Sequence, residues 1–333
     1  MSYYTRTPLI REFVNKVPQI IVKHEVLQPG GSFKSRGIGH LIAMESKRIS
    51  SSNPGKKIMV VSSSGGNAGV AASTASRNLN LPCMVTVPTT TKQIMIDKIR
   101  SRGANVIVHG NQWSEADAFL KDNILKDFSH PESPIEAIYV HPFEHPLIWE
   151  GHSTMVDEMI SDLDSVSLDR VKAIVCSVGG GGLFNGILTG LERHDLASKI
   201  PVIGVETWGC ESFHQALMAN KLVNLDAITS IATSLGASQI SPKTLEFAMK
   251  YDSKSVVLED KDVINTCLKY NDEYGKLLEP ACAASLHLGY NPQLIEQALN
   301  CTLSKDDIVV IIACGGPTVS LNDLTNDLQR LSA

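Results

Sequence analysis

Four short segments hold the residues best suited to chemistry. In Gln28-Pro29-Gly30-Gly31-Ser32-Phe33-Lys34-Ser35-Arg36-Gly37 a turn delivers one lysine to the start of a segment whose apolar face is Ile38, Leu41 and Ile42. At a helix start the positive end of the dipole and local desolvation both disfavour an ammonium, lowering its pKa toward a nucleophilic free amine. Lysines that form Schiff bases need that property. A solvated lysine in the first turn of a helix fits the same spacing.

The second segment is a strand, Ile58 to Val61, running into Ser62-Ser63-Ser64-Gly65-Gly66-Asn67-Ala68-Gly69 and an Ala-rich helix over Val70 to Ser76. Free backbone N–H groups converge at such a helix start with no side chain in the way, which makes an anion cradle suited to a carboxylate. A tight turn whose serines cap the helix explains the same residues. The loop lacks the Gly-Lys-Ser/Thr of a nucleotide phosphate loop.

In the third, the strand Ala173 to Val178 leads into Gly179-Gly180-Gly181-Gly182-Leu183-Phe184-Asn185-Gly186. Four consecutive glycines cost backbone entropy and give no packing in return, so close approach of the backbone to a phosphate is their natural reason. The spacing departs from a dinucleotide fingerprint in context. The fourth segment, Cys314-Gly315-Gly316-Pro317-Thr318, ends an apolar strand. Ligands of open α/β sheets sit beyond the carboxyl ends of strands, which puts Cys314 where a ligand can meet it; alone, it reads as a core cysteine.

Two groupings invite chemistry and are set aside. His141, His145 and His152 with Glu144 and Glu150 resemble metal ligands. Pro142 and Pro146, however, break the helix that an i, i+4 ligand pair requires, so these read as loop and helix-start residues. Glu279-Pro280-Ala281 reads as a helix start with proline in the first position.

Short β-branched runs alternating with helix-period stretches from Lys57 onward position these segments and indicate an α/β protein with parallel sheets. Strands are expected at Ile58 to Val61, Met84 to Val87, Val106 to His109, Ala137 to Val140, Ala173 to Val178, Val202 to Glu206, Val256 to Leu258 and Ile308 to Ala313. The last is apolar on both alternations, as a central strand covered on both sides must be.

A chain of 333 residues points to two domains. The net charge of −5 supplies no basic excess for nucleic-acid phosphates, so no nucleic-acid partner is expected. No apolar run reaches bilayer length, and Arg6, Arg11, Glu12 and Lys16 interrupt the start, so neither a membrane partner nor a secretory leader is expected. The cytosol is the expected location. Seven cysteines form no C-x-x-C pair and read as reduced, mostly buried thiols.

Together the segments resemble the fold type II pyridoxal-phosphate enzymes, and within them the serine/threonine dehydratases. The resemblance rests on Leu27-Gln28-Pro29 with Ser32-Phe33-Lys34, the Ser-Ser-Gly-Gly-Asn-Ala-Gly loop, Ile148-Trp149-Glu150-Gly151-His152, Ser177-Val178 with the four glycines, Glu279-Pro280-Ala281-Cys282 and Cys314-Gly315-Gly316. It implies a large discontinuous domain over 1–36 and 142–333, with a small domain over 37–141 inserted in it. It implies pyridoxal 5'-phosphate held as a Schiff base by Lys34, with Phe33 and Ser234 against the ring. Asn67 would bond the phenolic oxygen, Gly179, Gly180, Gly181 and Gly182 the phosphate, and Cys314 would face the ring nitrogen. Substrate would dock on Ser64, Gly65, Gly66, Asn67 and Ala68, with Lys34 and Ser64 catalytic. A monovalent cation such as potassium would be held by Gly179, Glu206, Cys210, Leu235 and Ala237, with Ser212 joining.

The implied reaction converts L-serine to pyruvate and ammonia, and L-threonine to 2-oxobutyrate and ammonia, in amino-acid catabolism feeding gluconeogenesis. A homodimer without an appended regulatory domain is expected. A β-replacing synthase, an amino-acid racemase, a cofactor-binding relative with little turnover and a dinucleotide-dependent oxidoreductase are the alternatives. Two positions depart from the pattern. Pro317 stands where relatives carry Ser or Asn, removing a donor near the ring nitrogen, and Gly30 replaces a serine, which should loosen the turn before Lys34.

Overall fold

The short β-branched runs form strands in two separate sheets. The computed structural model describes residues 3–130, 132–316 and 318–332, so Pro317 lies outside the described residues. Ten strands form among them: β1 (Leu9–Glu12), β2 (Gln19–His24), β3 (Lys57–Ser62), β4 (Cys83–Val87), β5 (Asn105–Val108), β6 (Ile135–Val140), β7 (Val171–Ser177), β8 (Val202–Thr207), β9 (Lys254–Leu258) and β10 (Ile308–Ala313).

The chain divides into two units by its backbone contacts: residues up to Thr5 with Gln28–His152, and Arg6–Leu27 with Ser153–Ala333. The first unit holds a four-stranded parallel sheet of order β5-β4-β3-β6. The helix Lys34–Ser52 lays Ile38, Leu41, Ile42 and Ile49 into the same core as Val60, Val70, Val85 and Val140. Lys34 and its helix therefore group with this sheet. The cuts fall at 5/6, 27/28 and 152/153, whereas the resemblance puts boundaries at 36/37 and 141/142.

The second unit holds a six-stranded sheet of order β1-β2-β10-β7-β8-β9, antiparallel only between β1 and β2. Every residue of β10 is buried, and the strand lies between β2 and β7 as its two-sided apolar pattern predicts. Strands β1 and β2 are absent from the sequence reading. The polar pair Lys23-His24 hides β2, yet both side chains are fully buried. Lys23 Nζ donates to Glu158 Oε2 at 2.6 Å and to the Thr7 carbonyl at 2.7 Å, while His24 Nε2 lies 3.0 Å from Glu12 Oε1. The buried Lys23 ammonium is tolerated only with such partners as Glu158 and the Thr7 carbonyl. No helix among the described residues is long and apolar enough to cross a membrane.

Candidate active site

In the first unit, Gly31 adopts φ 81°, the left-handed conformation that suits glycine. Its N–H bonds the Gln28 carbonyl at 2.7 Å, closing the turn before Lys34. Gly30 is engaged in the same turn: its amide donates to Ser35 Oγ at 2.9 Å, and an added Cβ would crowd that hydroxyl at 2.7 Å. Lys34 is the first residue of its helix, and the N-cap Phe33 offers no side-chain bond to the helix start. Lys34 Nζ stands 4.3 Å from the Phe33 ring centroid.

His152 braces this lysine turn. It sits within the helix Pro146–Asp162 rather than in a loop or helix start, so the sequence reading of its place is corrected. Its Nδ1 accepts the Gly37 N–H at 3.1 Å, and its ring lies 4.7 Å from that of Phe33. Burial first, then the charges of Lys34 and Arg36, push its pKa well below the usual histidine value, and a bond to the Phe33 backbone opposes them. The ring is therefore neutral and Nδ1 keeps its lone pair for Gly37. Gly37 must be glycine here, because a Cβ would strike the His152 ring and the Ile148 carbonyl.

The Ser64–Ala68 loop leaves β3 and enters the helix Asn67–Asn78, whose N-cap Gly66 is extended and supplies no side-chain cap. An added Cβ on Gly30 would lie 3.5 Å from Ala71 Cα, so the lysine turn packs on this helix. Ser64 Oγ accepts the Gly66 N–H at 3.3 Å. A Cβ on Gly66 would meet only that hydroxyl, at 3.8 Å, which leaves an open hollow over the helix start. Such a hollow lined by backbone N–H groups fits a carboxylate.

In the second unit, the helix Gly182–Arg193 starts without a side-chain cap, behind Gly181 at φ 95°. A Cβ on Gly181 would fall on the Thr244 side chain. Beside this loop the buried Ser177 hydroxyl and the buried Asn185 Nδ2 have no hydrogen-bond partner among the described residues. Two unmet donors at an uncapped helix start suit a multiply charged anion such as a phosphate.

Ser234 and Cys314 converge on the same end of the second sheet. An added Cβ on Gly179 would lie 3.2 Å from the Ser234 carbonyl oxygen. Ser234 Oγ donates to Glu279 Oε2 at 3.1 Å, and Thr318 Oγ1 donates to the same oxygen at 2.7 Å. A Cβ on Gly316 would fall on the Glu279 carboxylate. Cys314 is buried, close enough to Cys176 to help burial raise that thiol's pKa. Glu279, read from sequence only as a helix start, in fact ties Ser234 to the turn that carries Gly316. The motif Glu-Pro-Ala marked its position but carried no sign of these partners.

Glu206 is fully buried, and its two oxygens accept the Phe213 and His214 amides at 2.8 Å each. Burial, aided by Glu211, raises its pKa to about 8 against those two bonds. The Ser212 hydroxyl beside it is buried with no partner among the described residues. Cys210 Sγ lies 3.9 Å from the Ala232 carbonyl, and the Ala237 amide bonds the Leu235 carbonyl at 2.7 Å. Among the described residues no three His, Cys, Asp or Glu side chains group as metal ligands.

Compared with known proteins, the chain matches the family "Pyridoxal-phosphate dependent enzyme" over residues 1–315. It is 54% identical over 333 residues to the catabolic L-serine/threonine dehydratase of Saccharomyces cerevisiae S288c, covering 98% of this chain and 91% of that one. It is 52% identical over 337 residues to the L-serine dehydratase of S. cerevisiae AWRI1631, covering 100% and 99%. Its structure matches the fungal L-serine ammonia-lyase from Rhizomucor miehei with a TM-score of 0.87 at 31% identity, covering 99% of each chain.

Proposed function

The chain belongs to the pyridoxal-phosphate-dependent enzymes, with the α/β architecture of their fold type II, and from that premise we propose that it is an L-serine dehydratase that also accepts L-threonine. The products are pyruvate or 2-oxobutyrate, each with ammonia. One observation carries the reading: Lys34 stands at an uncapped helix start, in a turn packed on the helix of the Ser64–Ala68 hollow. An amine able to bond a carbonyl and a cradle able to hold a carboxylate thus occur in one unit. The relatives named above support the choice of substrate.

Bound pyridoxal phosphate supplies the electron sink for an amino-acid α-carbon. The Gly179–Gly182 amides would hold its phosphate, with Ser177 and Asn185 supplying the unmet donors noted above. Phe33 and Ser234 would contact the ring, Asn67 the phenolic oxygen and Cys314 the ring nitrogen. Lys34 would hold the cofactor through Nζ, and the same amine would be the base for the substrate α-proton. The amides of Ser64, Gly65, Gly66, Asn67 and Ala68 would orient the carboxylate, with Ser64 assigned the second catalytic role.

Glu206, Ser212 and the carbonyls of Gly179, Cys210, Leu235 and Ala237 would hold a potassium ion, because a buried carboxylate opposed by desolvation gains from a cation. Domains over 1–36 with 142–333 and over 37–141, a homodimeric state, a cytoplasmic location and a role in amino-acid catabolism belong to the same reading. The test is direct: the protein loaded with pyridoxal phosphate is given L-serine or L-threonine, and 2-oxo acid and ammonia are measured. Equal amounts of both from each substrate support the proposal; racemised serine without ammonia refutes it.

A further inference from the structure

Behind the loop assigned to the substrate carboxylate stands a carboxylate of the chain itself. Asp117 lies in the helix Trp113–Phe119 and is buried. Its Oδ1 accepts the Ser63 hydroxyl and the Tyr139 phenol, each at 2.6 Å. Its Oδ2 lies 2.7 Å from Lys121 Nζ. Ser63 is fully buried and directly precedes Ser64, while Tyr139 faces Val61 across the β3–β6 pairing. One side chain thus ties the root of the loop, the adjoining strand and a third element together.

The setting is unusual in two ways. Just after Asp117 the chain becomes π-helical over Leu120–Leu125, a wide turn that is rare and recurs at functional sites. Moreover, a negative charge behind an anion cradle opposes anion binding unless it is offset. Burial works against this charge, yet hydrogen bonds from Lys121, Ser63 and Tyr139 hold the Asp117 carboxyl below its ordinary range. A further titratable group that feels this charge, His141, sits edge-on to Tyr139 at 6.3 Å, and burial keeps its pKa down at about 4. Lys121 therefore supplies the compensating positive charge.

We propose that Asp117 is a positioning residue for the substrate loop: by holding Ser63 it fixes the direction in which residues 64–68 present their N–H groups to an amino-acid carboxylate. It touches neither substrate nor cofactor, and the inference rests on the assignment of that loop made above. Asn at this position keeps an acceptor oxygen for Ser63 and Tyr139, whereas Ala keeps none.

The test compares wild type, Asp117→Asn and Asp117→Ala, loaded with cofactor, in steady-state kinetics with L-serine and in amide hydrogen exchange without substrate. Asp117→Ala should raise KM about tenfold while kcat and the cofactor absorption spectrum change less than about threefold. Exchange of the 64–68 amides should quicken by about tenfold or more. Asp117→Asn should stay within about threefold of wild type on each measure. Should Asp117→Ala fail to fold, Ser63→Ala takes its place, and a KM raised about threefold with the same faster exchange supports the inference. Unmoved KM and exchange, or a fall in kcat and cofactor affinity without a change in KM, overturns it. Failure of the wild type itself to release 2-oxo acid would instead refute the functional assignment, and the exchange comparison would still decide the role of Asp117.

Discussion

The imidazole of His152 receives the backbone N–H of Gly37 on Nδ1 at 3.1 Å, three residues beyond Lys34. A proton on Nδ1 would end that bond. The neutrality of a buried ring and the geometry of the first helical turn are therefore linked.

That linkage predicts a pH dependence. The folded pKa of His152 is depressed below its ordinary 6.5, so unfolded chains take up a proton near that pH while folded chains do not. The contribution of His152 to stability is present above about pH 6.5 and is lost as pH falls. In thermal unfolding, wild type should exceed His152→Gln most at about pH 8, and the difference should shrink toward about pH 5. A difference that does not vary with pH would contradict the account.

Glycines of the two loops should respond differently to alanine. Gly181→Ala places a Cβ on the Thr244 side chain at a φ of 95°, so it should cost about 2 kcal/mol or more of stability. Pyridoxal phosphate affinity, measured by fluorescence titration, should fall with it. Gly66→Ala meets only Ser64 Oγ at 3.8 Å and should leave stability within about 0.5 kcal/mol. Its methyl group fills the hollow instead, so KM for serine should rise.

Glu206 gives the opposite pH trend to His152. Its carboxyl is raised from 4.5 to about 8 in the folded chain. Unfolded chains ionise it first, so its favourable contribution is complete below about pH 4.5 and is lost as pH rises to about 8. The Tm of wild type should decline over that window relative to Glu206→Gln. Potassium chloride, compared with tetramethylammonium chloride at equal ionic strength, should restore wild type above about pH 7 and leave Glu206→Gln unmoved. Equal responses of both proteins to the two salts would count against a cation at this carboxylate.

Much of this was legible in the residues because their patterns are local. The buried strand Ile308–Ala313 is apolar throughout, and the glycine runs mark helix starts without caps. What the sequence hid depends on contacts between distant residues. Lys23 is acceptable in β2 only because Glu158 and the Thr7 carbonyl meet it. Asp117 looks like a surface helix residue until Ser63 and Tyr139 arrive on one oxygen. Glu279 and His152 likewise gain their roles from partners 37 or more positions away, a separation that no window of spacing can register.

The central claim is that Lys34 carries the cofactor, and borohydride reduction tests it most directly. Protein incubated with pyridoxal phosphate, reduced and digested should yield one pyridoxyl-labelled peptide, containing Lys34, with loss of the visible band. Lys34→Ala should remain unlabelled and release no pyruvate from serine. A label on another lysine, or pyruvate formation by Lys34→Ala at the wild-type rate, would contradict the account.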